Sequence, residues 1–264
     1  MKYFLVPVFI IIFLTSCKQK TDTAHTGTTT FTKDTTKLAS TKIDHQLRQV
    51  HKATIAPDID GKAADPAWEK ASWHPIDERW LGGAYTPEDF TGRYKLIWTP
   101  EALYILAEIT DDVLYDREED PLTLWWDDDC LEIFIDADNS GGGHQFTHNA
   151  FAYHVALDGN VVDIAPGEVP TLYNSHVISE RQTMDKITTW ECKLTVYDDT
   201  YKDGQVNDQK VLKADQKLGF ALAYCDNDAS KERENFIGSV AVDGEDKNRG
   251  WIDAGIFGTI KLAE

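Results

Sequence analysis

The chain has 264 residues, with 26 Lys and Arg against 45 Asp and Glu, for a formal charge of −19. Phosphate binding needs a basic surface, so this balance argues against nucleic acid and leaves neutral ligands, cations or plain solubility. Of four cysteines, Cys17 closes the N-terminal apolar stretch, and an odd three remain (Cys130, Cys192 and Cys225), which allows one disulfide at most.

The leader opens with Lys2, runs through an apolar stretch over residues 4–14 and ends in Leu14-Thr15-Ser16-Cys17. That order reads as a secretory signal, and the apolar run falls short of the ~20 residues a bilayer span needs. Cys17 after Leu-Thr-Ser resembles a bacterial lipobox, which implies cleavage before Cys17 and its lipidation. The expectation is a signal peptide at 1–16, a lipidated cysteine with a flexible Thr-, Lys- and Asp-rich linker at 17–50, and one folded domain at 51–264. Such a chain is an exported bacterial membrane lipoprotein, on the periplasmic face or at the cell surface.

Within the domain, Asp60-Gly61 is a turn signal, and Asp65 can cap a short helix with Pro66 at its first position. Trp68 falls on the apolar side of that turn and reads as a core plug. Beyond it the periodicity is that of strands. Tyr94, Leu96 and Trp98 share one face. After the turn Thr99-Pro100-Glu101, Leu103, Ile105, Ala107 and Ile109 share another, which predicts a hairpin. Leu131, Ile133 and Ile135 alternate in Cys130–Asp136. Residues 151–157 and 161–164 flank the turn Asp158-Gly159-Asn160. Trp190, Cys192, Leu194 and Val196 alternate, as do Leu218, Phe220, Leu222 and Tyr224, and residues 236–242 and 257–262 complete the set. Nine or ten short strands with little helical periodicity predict an all-β, antiparallel, jelly-roll-like β-sandwich. Cys130 and Cys192 read as buried small hydrophobes, and the cysteine spacing does not suggest a zinc site.

The chemistry concentrates in Trp125-Trp126-Asp127-Asp128-Asp129 and the strand after it. Adjacent tryptophans in an extended chain point to opposite sides, so one can be buried and the other exposed. Trp251, among Asn248, Arg249, Gly250 and Asp253, is a second loop aromatic. Two such rings from two loops can sandwich a pyranose. Asp136, Asp138 and Asn139 form an oxygen-rich turn of the kind that holds calcium, and Asp226-Asn227-Asp228 is a second, although turn chemistry alone also favours these residues. His144, His148 and His154 read as scattered polar histidines. A glycosidase needs carboxyls about 5–5.5 Å or 6.5–9.5 Å apart, whereas Asp128 and Glu132 on one strand lie roughly 13 Å apart at ~3.3 Å per residue. There is no Gly-x-Ser-x-Gly, no His-Glu-x-x-His and no phosphate-cradling glycine loop.

Three segments, in order, resemble the family 9 carbohydrate-binding modules: Ile59-Asp60-Gly61 with Asp65-Pro66-Ala67-Trp68; Trp126 with Asp129 to Asp136; and Trp251-Ile252-Asp253 with Phe257-Gly258. The resemblance implies a β-sandwich, structural calcium at Asp136, Asp138 and Asn139, and a reducing-end sugar clamped between Trp126 and Trp251, with Trp125 as the packing residue. In clamp-bearing members an Arg and an Asn on the next strand bind the sugar; His154 and Ala156 stand there here, so the polar part of the site differs. The expected function is non-catalytic binding of an oligo- or polysaccharide in glycan capture or catabolism, alongside glycan-degrading proteins, with His154 and Arg249 fixing orientation. A glycoside hydrolase or lyase built from loop carboxylates, and a structural lipoprotein whose tryptophans merely lid the core, are the rival readings.

Overall fold

The computed structural model describes Lys42 and residues 44–264; the signal peptide, Cys17 and most of the linker lie outside the described residues. The described chain forms fourteen strands and two short 3₁₀ turns. The strands are β1 (Arg48–Lys52), β2 (His74–Ile76), β3 (Glu78–Gly82), β4 (Phe90–Thr99), β5 (Ala102–Asp111), β6 (Cys130–Asp136) and β7 (Phe151–Ala156). They continue with β8 (Val161–Ala165), β9 (Val169–Leu172), β10 (Val177–Met184), β11 (Ile187–Leu194), β12 (Lys217–Asp226), β13 (Asn235–Gly238) and β14 (Gly258–Ala263).

Their order is β10-β11-β5-β4-β1-β14-β12-β6-β7-β8-β9, with β13 joining β12 to β3 and β2 added to β4. Two antiparallel halves thus face each other, β10-β11-β5-β4 and β14-β12-β6-β7-β8-β9. The main core draws on both: Leu103, Ile105, Ile109 and Trp190 meet Leu131, Ile133, Phe220 and Leu222. The predicted hairpins form, β4 with β5 and β7 with β8. The three cysteines among the described residues, Cys130, Cys192 and Cys225, are free and buried.

Two features differ from the expectation. The sheet is mixed rather than purely antiparallel, because β1 runs parallel to both β4 and β14 and joins the two halves. The folded unit also begins before residue 51: Val50, assigned to the linker by composition, is 2% exposed at the centre of β1. Its flanks are polar, so the run lacks the apolar content that marks a strand. The helix anticipated at Asp65 is a single 3₁₀ turn, Pro66–Trp68, and the Asp65 side chain makes no cap; it accepts the Asp58 N–H instead. Trp68 is a core plug, with its indole N–H donating to buried Glu191 at 2.9 Å.

Strand β6 is buried on both faces. Leu131, Ile133 and Ile135 enter the main core. Cys130 and Phe134 belong to a second apolar layer with Trp80, Phe236 and Phe257 on the other face. The candidate site is built over that second layer.

Candidate functional site

A cavity of about 280 Å³ opens over the second layer, with Trp126 and Trp251 both in its lining. Trp126 belongs to the turn before β6, Trp251 to the loop before β14. Their convergence depends on how the second loop is pinned. The N–H of His144 donates to Ile252 O at 3.0 Å, the N–H of Ala254 to Gly142 O at 2.8 Å, and the His144 ring to Gly250 O at 2.7 Å. The Trp251 indole N–H returns to Asn248 O at 3.2 Å. Trp251 is left 40% exposed, as a platform requires, while Trp125 is buried.

Trp125 and Trp126 do not point to opposite sides, however. They sit in a turn entered through Leu124 at φ 49°, pack edge to face at 4.8 Å, and both line the cavity. The aspartates that follow are structural ties. Asp127 accepts the Arg233 N–H, Asp128 those of Arg117 and Glu118, and Asp129 those of Tyr115 and Asn227.

Beside the aromatic rings the cavity presents Glu132, His154, Asp163, Arg233 and Asn248. His154 stands opposite Glu132 in the β6–β7 register, with Nε2 3.3 Å from Oε2. Burial pushes the Glu132 carboxyl well above its usual range, and burial, with Arg233 nearby, takes His154 down to about 3. At neutral pH the pair is a neutral imidazole beside a protonated acid, a donor and an acceptor suited to an uncharged ligand. Arg233 lies over the Phe236 ring at 4.3 Å and donates to Cys225 Sγ at 3.1 Å and Asn248 Oδ1 at 3.4 Å, linking β12 to the Trp251 loop.

Arg249 does not line the cavity. Its guanidinium donates to the carbonyls of Asp243 and Asp246 and braces the loop from outside. Ala156 sits beside Cys130 on β7, also outside the lining. His144 lines the cavity, whereas His148 pairs with Asp203 at 2.8 Å. Sequence reasoning passed over Glu132 and Arg233 as ligand groups. A signal for Glu132 exists, an acid on the strand face opposite Leu131 and Ile133; Arg233, in a polar loop, carries none.

For a cation, Asp136, Asp138 and Asn139 make a compact turn. Asp136 accepts the N–H groups of Asp138 and Gly141, and Asp138 that of Ser140. Lys42 approaches this turn; burial lowers its pKa, and the charge of Asp136 opposes that shift. A tighter group lies elsewhere. Asp111, Asp129 and Asp226 are all buried, with carboxylate oxygens within 4.8 Å of one another. Burial, reinforced by the charge of Asp111, raises Asp129 to about 9 and Asp226 to about 8. Their oxygens keep second lone pairs beyond the hydrogen bonds they accept, which fits a hard, oxygen-seeking cation.

A family model for "Carbohydrate family 9 binding domain-like" proteins matches residues 59–264. The chain belongs to this family. Membership makes it a carbohydrate-binding module, a class that holds sugars without cleaving them. Endo-1,4-beta-xylanase A of Thermotoga neapolitana is 31% identical over 88 residues; the match covers 33% of this chain and 8% of the xylanase, so it touches a small part of that relative. Two structures of a family 9 module from Caldicellulosiruptor kristjanssonii share the fold at 20% identity. The cellotriose complex gives a TM-score of 0.59 over 82% of this chain and 94% of the other. The glucose complex gives 0.60 over 81% and 95%. A carbohydrate-binding protein described as putative, from Bacteroides uniformis, gives 0.52 at 12% identity, over 82% and 99%. These likenesses place the family 9 module's β-sandwich on the same architecture; its site rests on the residues described above.

Proposed function

We propose that this family 9 module binds an oligo- or polysaccharide through a terminal sugar ring stacked on Trp126 and Trp251. One observation carries the reading: indoles from two loops far apart in sequence line one cavity with a polar set of Glu132, His154, Arg233 and Asn248. Apolar sugar faces meet the π faces, and the polar groups take the hydroxyls. His154 acts in orientation, while Arg249 supports the loop. The cavity volume falls near the small end of ligand pockets, ~300–1,000 Å³, which suits the end of a glycan more than its length. The C. kristjanssonii module holds cellotriose and glucose, so cello-oligosaccharides are the first probes.

Calorimetry with cellotriose and with its borohydride-reduced alditol tests the site. Trp126→Ala and Trp251→Ala each weaken binding by about 2 kcal/mol or more, roughly 30-fold, with circular dichroism unchanged. The alditol binds poorly if the reducing-end ring is what the indoles clamp. Normal binding by both variants sinks the proposal, and new reducing ends released from a glycan panel would show a hydrolase instead.

Two further parts belong to this reading. A lipid on Cys17 tethers the module to a bacterial membrane for glycan capture and catabolism; the supporting feature is Leu14-Thr15-Ser16-Cys17. Cys17→Ser then moves the protein from the membrane to the soluble fraction. A structural calcium ion is held by Asp111, Asp129 and Asp226, whose carboxylates it neutralises.

A further inference from the structure

Cys130 and Cys225 lie far apart along the chain, and nothing in their spacing pairs them. The strand register does. Cys130 on β6 stands directly opposite Cys225 on β12, and Glu132, two residues along the same face of β6, stands opposite His154 on β7. The two thiols and the imidazole have ligand atoms all within 4.8 Å of one another. All four side chains are buried.

We propose that Cys130, Cys225 and His154, with Glu132 as the fourth ligand, form a site for a zinc-class divalent ion directly beneath the sugar cavity. Two thiolates, an imidazole and a carboxylate are a donor set such ions take in tetrahedral geometry, whereas calcium avoids sulfur. At zinc–sulfur distances of about 2.3 Å, two ligand sulfurs stand about 3.8 Å apart. The two sulfurs and the imidazole nitrogen therefore close onto an ion with shifts of about 1 Å, whereas Glu132, beside His154 but outside that group of three, moves farther to complete the site.

Three further observations point to a ligand here. Glu132 Oε2 is buried without a hydrogen-bond partner, with His154 Nε2 3.3 Å away. An orphaned carboxylate oxygen of this kind costs stability unless something binds it. The His154 Nδ1–H donates to Ala152 O at 3.3 Å, which leaves Nε2 as the ring's free lone pair on the Glu132 side. Backbone-anchored Nδ1 with Nε2 free is how metal-ligating histidines are commonly oriented. The Arg233 guanidinium donates to Cys225 Sγ at 3.1 Å, favouring the thiolate, which is the ligand form. The charges then close: two thiolates and one carboxylate against one dication and Arg233. Without the ion the three strands carry an unpaired acid and two thiols; with it β6, β7 and β12 are stapled beneath the cavity.

The experiment uses the full chain, purified under reductant, stripped with chelator and titrated with cobalt(II). One equivalent of cobalt gives intense near-ultraviolet thiolate-to-cobalt bands with the visible bands of a tetrahedral ion, and added zinc bleaches both. Cys130→Ser and Cys225→Ser each abolish the thiolate bands, whereas Cys192→Ser leaves them intact. Should those variants fail to fold, X-ray absorption on the wild-type zinc form reads the site directly, and two sulfur ligands are expected. Only nitrogen and oxygen ligands would overturn the proposal. So would the absence of thiolate bands in protein whose thiols titrate as free. A Cys130–Cys225 disulfide that persists in the reductant would overturn it too, making the pair a covalent staple. With the ion in place His154 and Glu132 are held by it, and Asp163, Arg233 and Asn248 are the polar groups left to the sugar; sugar affinity is measured separately, so failure here leaves the stacking on Trp126 and Trp251 untouched.

Discussion

Gly250 has no room for a side chain. A Cβ there would lie 2.9 Å from Phe134 Cε1, and Phe134 is fully buried against Trp80 and Phe257. The ring cannot step aside, so Gly250→Ala must move the loop whose next residue is Trp251. Overpacking of this kind costs about 1–3 kcal/mol. Melting temperature and sugar affinity should therefore fall together, and a variant matching wild type in both would refute the anchoring role given to Gly250. Asp163 gives a test of pH. Burial raises its carboxyl to about 7, although it accepts the N–H groups of Ala152 and Ile164. An unfolded aspartate titrates near ~3.9, so across that window the folded chain holds a proton the unfolded chain has lost. The contribution of Asp163 to stability is thus full below pH ~4, declines as pH rises and levels off above about 7. Urea unfolding at pH 5 and pH 7.5 should show a flatter profile for Asp163→Asn than for wild type; equal slopes would sink the assignment. At this scale the sequence picked out Trp125 as the buried ring of the pair, which it is, but not the side it faces. The opposite-sides rule holds for extended chain, and Leu124 turns the backbone before the pair begins.

Strands whose side chains alternate between core and solvent, or fill two apolar layers, were legible from composition: β4, β5, β6, β7, β11 and β12 were each anticipated. The ones missed are short or exposed. β10 reads Val-Ile-Ser-Glu-Arg-Gln-Thr-Met and buries little beyond Val177; β9 is an edge strand carrying a proline. Such runs are strands because a neighbour offers a backbone ladder, which single-residue patterning does not record. β1 is the consequential case. It contributes one well-buried side chain, Val50, yet it satisfies the edges of both β4 and β14. Removing it uncovers two ladders at once. A protein beginning at residue 53 should lose its cooperative melt or aggregate, whereas one beginning at residue 44 should melt like the longer chain. Equal melting of the two would show that the halves hold together without β1.

At the scale of the whole molecule, the ligand groups come from segments that only the fold brings together, and this is why the site was half legible. Aromatic loop residues announce themselves by type; Arg233 and Asn248 acquire meaning only where the fold brings their loops together, and the Cys130–Cys225 pair only from strand register. The same holds for Asp111, Asp129 and Asp226. Asp111 ends β5 in one half of the sandwich, and Asp226 ends β12 in the other, with Asp129 just before β6. Tyr224 spans them, donating to Asp111 at 2.7 Å. Three buried carboxylates repel one another when ionised, and the charged form is unfavourable there. A calcium ion at the proposed site would reverse both penalties and tie the two halves at one end, opposing the separation that unfolding requires. Stabilisation follows mass action: calcium at about 100 times its dissociation constant adds ~2.7 kcal/mol. Chelator should therefore lower the melting temperature by several degrees, and millimolar calcium should restore it. Asp226→Asn should cancel most of that recovery, while Asp138→Asn, at the turn beside Lys42, should leave it intact. A recovery lost in Asp138→Asn and kept in Asp226→Asn would move the ion to the β6 turn, and no calcium response in wild type would remove it from the account of this fold.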